Sequence, residues 1–146
     1  MRRVGVRVLI YVDTSVIISY VDVKDPNHGL AENIVGYLKS KRAVVSYLVL
    51  TELASVYSRA GLGKPLELAL YSIDLVGAEM AKVDFNEVLK YAFKYAPQLQ
   101  LKTLDLLHVV ASSLIRAKEF ATLDKNIVKK ADRIKEVLGV KVLSPQ

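Results

Sequence analysis

Short β-branched runs alternate with longer helical patterns along the whole chain, and that alternation most constrains its fold. Residues 6–12, "VRVLIYV", are nearly continuously apolar, as strands buried on both faces are. "RAVVS" (42–46), "MAKVDF" (80–85), "EFATL" (119–123) and "VKVLS" (140–144) are further strand candidates. Helical patterns lie between them. One runs over 27–40 after the turn "DPN", and another over 47–60, where Leu50, Leu53, Ala54 and Tyr57 recur at helical spacing. Pro65 suits the first turn of a helix over 65–77. "NEVLKYAFKYA" (86–96) is helical, with Asp84 or Asn86 as its cap and Pro97 disturbing its end. "TLDLLHVVASSLIRAK" (103–118) is a largely apolar helix, and "KNIVKKADRIKEVL" (125–138) an amphipathic one ending at Gly139. This order implies an α/β fold: a mostly parallel sheet of four to five short strands with helices on both faces.

No Pro/Gly/Ser-rich linker, internal repeat or low-complexity tract divides the 146 residues, so residues 1–146 read as one domain. Apolar residues make up 52% and charged ones 25%, a globular balance. The absence of cysteine excludes disulfides and thiolate metal sites and fits a cytoplasmic location. The N-terminal "MRRVGVRVLIYVD" has the outline of a signal peptide, but Arg7 interrupts its apolar run and Asp13 ends it. No run approaches the roughly 18–20 apolar residues of a membrane span. Net charge is +6, which permits a polyanionic partner without requiring one.

Most of the acids fall among polar residues on amphipathic helices. Four do not. Asp13 ends the most hydrophobic strand candidate, in "LIYVDTSVIIS", and Asp124 follows another in "FATLDKNI". Each could be a helix N-cap. Glu52 sits in "SYLVLTELASVY", on a narrow polar stripe with Thr51, Ser55 and Arg59. Asp105, in "LKTLDLLHVVAS", lies near the start of an almost wholly apolar helix. There it could answer the helix dipole, with Thr103 as the cap. Because ligands of open parallel sheets bind at the carboxyl ends of the strands, Asp13 and Asp124 should share that edge.

A cluster of such acids suits a divalent cation. With no cysteine and little histidine, the donor set favours Mg²⁺ or Mn²⁺ over zinc. Crowded carboxylates repel one another until an ion relieves them, and such ions serve phosphoryl chemistry.

With these residues in view the chain resembles the PIN-domain family, and within it the VapC-type toxin ribonucleases. The resemblance rests on "VDTSVI" with Asp13, "LTELASVYSR" with Glu52, "LKTLDLLHVVAS" with Asp105 and "FATLDKNI" with Asp124. It implies a three-layer α/β/α sandwich and a Mg²⁺- or Mn²⁺-dependent endoribonuclease, the toxin of a toxin–antitoxin pair. Asp13, Asp105 and Asp124 would ligate the principal ion, with Glu52 near a second ion or acting through water. Thr14 or Ser15 and Thr122 would line the pocket, with Asn126 a further polar candidate after the strand-end acid. The partners implied are RNA, a small antitoxin and a second copy of the chain. A PIN module that binds RNA or protein without cutting is the alternative reading.

Other residues have ordinary explanations. His108, amid "LLHVV", reads as a packed, hydrogen-bonded core histidine, and His28 as solvated. Tyr47, Tyr57, Tyr91 and Tyr95 recur at helical spacings and read as core or dimer packing. Lys125, Lys129, Lys130, Arg133 and Lys135 read as a solvated helix face. A haloacid-dehalogenase-like phosphatase would need an acid at position 15, which is Ser, and a receiver domain an acidic pair before the first strand-end Asp.

Overall fold

Apolar, β-branched stretches become strands that run side by side in one direction. The computed structural model describes residues 8–144. Its five strands are β1 (Leu9–Val12), β2 (Arg42–Val45), β3 (Ala78–Met80), β4 (Glu119–Ala121) and β5 (Lys141–Leu143). They form one sheet in the order β3-β2-β1-β4-β5, with every pairing parallel. The central strand is the most apolar: Ile10, Tyr11 and Val12 are wholly buried, while edge strands β3 and β5 are partly exposed. A strand covered on both faces has no polar side to present, hence the unbroken apolar run.

The connections are helical, as parallel neighbours require. α1 (Thr14–Val21) and α2 (His28–Leu38) join β1 to β2, and α3 (Tyr47–Arg59) and α4 (Pro65–Leu75) join β2 to β3. α5 (Phe85–Leu99) and α6 (Thr103–Leu114) lead from β3 back to β4, and α7 (Lys125–Val128) and α8 (Ala131–Leu138) lead on to β5. α1 packs on α2, α3 and α4, whereas α5, α6 and α8 pack on one another, giving the two outer layers of an α/β/α sandwich. Tyr11 of β1 stacks on Phe120, its register partner in β4, at 5.3 Å between ring centroids. No helix among the described residues is long and apolar enough to cross a membrane.

The structure departs from the sequence expectations in four places. The strand expected over 80–85 lies at Ala78–Met80; Asp84 instead caps α5, its carboxylate accepting from the Asn86 N–H at 2.9 Å. Local alternation in "MAKVDF" imitates a strand, but the capping bond ends the extended segment. α5 runs through Pro97 to Leu99 and stops at Gln100 in the left-handed region. Residues 125–138 form two helices rather than one, because Lys130 leaves helical geometry between α7 and α8. Tyr47 is half exposed, whereas Tyr57 is buried and Tyr91 and Tyr95 pack, partly buried, against the core. The start of the first expected strand, residues 6–7, lies outside the described residues.

Phe120 carries the β1–β4 junction. Phe120→Ala removes a fully buried ring and is expected to cost about 3–5 kcal/mol, read as a lower denaturant midpoint. A loss below about 1 kcal/mol would show that the Tyr11–Phe120 stack is not central to the core.

Candidate metal centre

Strand order turns at β1: β2 and β3 lie on one side, β4 and β5 on the other. The crossovers therefore part at the carboxyl ends of β1 and β4, leaving a crevice of the kind where open α/β sheets bind ligands. Asp13 stands there, immediately after β1, and its backbone N–H bonds Ala121 O at 2.9 Å, extending the ladder to β4. It occupies the N-cap position of α1, yet its side chain caps nothing. Instead Oδ2 accepts from Ser15 Oγ at 2.9 Å and Thr122 Oγ1 at 2.7 Å. Those hydroxyls are themselves aimed: Ser15 Oγ accepts from Leu123 N at 3.0 Å, and Thr122 Oγ1 from Asp124 N at 2.9 Å. Asp13 is thus a 5%-exposed carboxylate with one oxygen fixed and Oδ1 without a hydrogen bond from the described residues.

Asp124 and Glu52 repeat this pattern with different partners. Asp124 lies three residues past the end of β4 and is the cap of α7, its Oδ1 accepting from Asn126 N at 2.9 Å. Asn126 contributes through its backbone N–H. Glu52 reaches the site from the middle of α3, its Oε1 accepting from His108 Nε2 at 3.0 Å. Asp105 occupies the first turn of α6, whose cap is Lys102 rather than Thr103, and its carboxylate receives no hydrogen bond from the described residues. Thr14 is 3% exposed, and its Oγ1 has no hydrogen-bond partner among the described residues. That hydroxyl lies near enough to Glu52 to favour the ionised carboxylate.

Electrostatics tie the four acids into one group. Burial, followed by the charges of Asp124 and Asp13, pushes the Asp105 carboxyl up to about 6, with His108 opposing the rise. Burial raises Asp13 as well, against the opposing effects of His108 and the Thr122 and Ser15 hydrogen bonds. Glu52 goes the other way. Burial alone would raise it, but His108 and Thr14, with Arg59 behind them, hold it below the usual carboxylate range.

Two buried or half-buried acids pushed towards protonation, free carboxylate oxygens and an orphaned buried hydroxyl suit a hard divalent cation. Asp13, Glu52 and His108 offer ligand atoms that all lie within 4.8 Å of one another. Asp105 and Asp124 belong to no such group among the described residues. They join the site through its electrostatics rather than at that spacing.

His108 is the packed, hydrogen-bonded histidine that its neighbours predict, and its partners link it to the site. It is 1% exposed and hydrogen-bonded, as a core histidine should be, but its partners are Glu52 and the Tyr11 hydroxyl at 2.9 Å from Nδ1. The available signal was its place one helical turn after Asp105, on the same face of α6. Tyr11 and Ser46, also in this network, gave no such signal, being an aromatic in a strand and a helix cap. His28 is not freely solvated: its Nδ1 bonds Ser19 O at 2.9 Å, and only 22% of its side chain is exposed.

The model of the PIN domain matches residues 10–133, a span that holds all four acids, and the chain belongs to that family. Among solved structures, similar folds occur in VapBC2 from Rickettsia felis bound to a promoter DNA fragment and VapBC-1 from nontypeable Haemophilus influenzae. The first has TM-score 0.64 and 17% identity, covering 94% of this chain and 99% of that one. The second has TM-score 0.62 and 19% identity, covering 93% and 97%. VapC20 of Mycobacterium tuberculosis, described as a sarcin–ricin-loop-cleaving toxin, is similar at TM-score 0.60 and 15% identity over 82% of this chain and 93% of that one. At such identities the likeness is one of fold. No curated protein sequence matched the chain.

The raised Asp105 pKa fixes the sign of a pH effect. An unfolded Asp titrates near 3.9, so between about pH 4 and 6 the folded metal-free chain holds a proton the unfolded chain has lost. Stability therefore falls as pH rises through that window. Asp105→Asn should stabilise the metal-free protein at pH 7 by on the order of 1 kcal/mol after solvent screening. In urea denaturation the gain should vanish near pH 4. Equal midpoints at both pH values would contradict the crowding.

Proposed function

We propose that this protein is a Mg²⁺- or Mn²⁺-dependent endoribonuclease that hydrolyses RNA phosphodiester bonds, acting as one domain in the cytoplasm as the toxin of a toxin–antitoxin pair. The observation that supports the reading best is the grouping of Asp13 and Glu52 with His108 within 4.8 Å, together with the electrostatic coupling of Asp105 to Asp124, Asp13 and Glu52. Family membership supports it, as does the description of VapC20, a structure with this fold, as a toxin. Asp13, Asp105 and Asp124 would hold the principal ion, and Glu52 would act beside it or through water.

A bound Mg²⁺ or Mn²⁺ supplies positive charge for the phosphate and lowers the pKa of a coordinated water. The chain's own groups do the rest. Ser15 and Thr122 fix one Asp13 oxygen and leave the other for the ion. Asn126 does the same for Asp124 through its backbone N–H. His108 steadies Glu52, and the orphaned Thr14 hydroxyl is available to a water or phosphate oxygen. The net charge of +6 draws a polyanion towards this acidic crevice, and exposed Lys125 and Lys129 flank Asp124 along α7.

Leu66, Leu70 and Leu75 of α4 and Leu89 and Phe93 of α5 are all at least 42% exposed, more apolar surface than solvated helices need. This supports the antitoxin and second-copy assignments.

Asp13→Asn and Asp105→Asn should each lower Mn²⁺-dependent RNA cleavage at least about 100-fold without loss of circular-dichroism signal, and chelation should silence the wild type. Wild-type cleavage by either variant would refute the site. A wild type that binds RNA but never cuts with either metal would favour the non-cutting module.

A further inference from the structure

A continuous hydrogen-bonded chain runs from the metal centre into the core. Glu52 Oε1 meets His108 Nε2 at 3.0 Å, His108 Nδ1 meets the Tyr11 hydroxyl at 2.9 Å, and that hydroxyl meets Ser46 Oγ at 2.8 Å. His108 is 1% exposed, and Tyr11 and Ser46 are fully buried. Ser46 also caps α3, accepting from Leu48 N at 3.2 Å, and α3 is the helix that carries Glu52. The chain thereby closes on itself through β2, β1, α6 and α3, joining the two helical layers over the carboxyl edge of the sheet.

The direction of each bond follows from which groups can donate. An ionised Glu52 only accepts, so Nε2 must bear the hydrogen. If Nδ1 is then unprotonated, the Tyr11 hydroxyl donates to it and Ser46 Oγ donates to the Tyr11 oxygen. Every polar hydrogen finds an acceptor. In the opposite arrangement, with both ring nitrogens protonated, Tyr11 must donate to Ser46. The Ser46 hydrogen would then have no acceptor among the described residues, an expensive vacancy for a fully buried hydroxyl. Burial also keeps the Tyr11 phenol protonated, and so a donor, across the working pH range.

We propose that His108 is a positioning residue for Glu52, held as its Nε2–H tautomer by Tyr11 and Ser46, and that neither of its nitrogens ligates the cation. With one lone pair taken by Tyr11 and the other nitrogen bearing a hydrogen aimed at Glu52, the ring has no free donor for a metal. It fixes one Glu52 oxygen and leaves Oε2 to the site. The inference rests on the reading of Glu52 as part of a cation site, and it assigns the Asp13–Glu52–His108 group two ligand-bearing members and one orienting member. Outer partners of this kind commonly change metal affinity 10–100-fold when removed.

Two measurements decide it. The chain has two histidines, so the imidazole ¹⁵N shifts of metal-free protein at pH 7.5 identify the state of His108. Protonation on Nε2 alone is expected; a proton on Nδ1 would overturn the relay. Tyr11→Phe deletes one oxygen but keeps the ring stacked on Phe120, so the fold should survive. By calorimetric titration it should bind Mn²⁺ about tenfold more weakly than wild type, with His108→Gln, which retains an N–H for Glu52, weakened less than His108→Ala. An unchanged Mn²⁺ affinity in Tyr11→Phe, or a ¹⁴N coupling from His108 to bound Mn²⁺, would overturn the positioning role. A wild type that binds no Mn²⁺ would instead defeat the metal-centre reading, and the tautomer, measured without metal, separates the two failures.

Discussion

The buried carboxylate of Asp13 is the constraint on which the rest of the site depends. A strand whose last three residues are wholly buried holds it at 5% exposure, where an unassisted negative charge is costly. Among the described residues the protein answers with two hydroxyls on one oxygen and the His108 ring within 4.8 Å. That is too little to neutralise the charge, and its carboxyl is raised accordingly. The arrangement tolerates Asp13 without satisfying it. A cation at this position would relieve the deficit.

The remaining site follows from parallel topology. β1 and β4 are neighbours although more than 100 residues separate them, and their carboxyl ends open on the same crevice. Thr122, just past β4, donates to Asp13, while its backbone neighbour Asp124 donates its N–H back to Thr122. Glu52 comes from the opposite helical layer and is met by His108 from α6. The site is therefore assembled from both layers and both central strands. Changes in the Tyr11–Phe120 core should be felt there, because Tyr11 belongs to both.

Much of this was legible in the residues because it depends on local pattern. The apolar runs, the stops at Gly and Pro, and two strand-end acids pointed to a parallel α/β sheet with Asp13 and Asp124 on one edge, and the resemblance to PIN-domain proteins added Glu52 and Asp105. The elements that misled did so for local reasons too. "MAKVDF" alternates like a strand, yet Asp84 caps a helix, and the basic run after Lys125 reads as one helix although Lys130 breaks it. The cap interpretation was right for Asp124 and wrong for Asp13, a difference made by hydroxyls 2 and 109 residues away in sequence. The role of His108 was hidden for the same reason. Its value lies in Tyr11 and Glu52, 97 and 56 residues distant, which no local window contains.

The central claim is that these acids form one cation site at the β1–β4 crevice. Crystals of the wild-type protein soaked in Mn²⁺, with anomalous differences recorded at the manganese edge, test it most directly. The account predicts a peak bounded by carboxylate oxygens of Asp13, Asp105 and Asp124, with Glu52 beside it and His108 still bonded to Glu52. Absence of a peak at that crevice, or manganese bound elsewhere with the four acids unliganded, would contradict it.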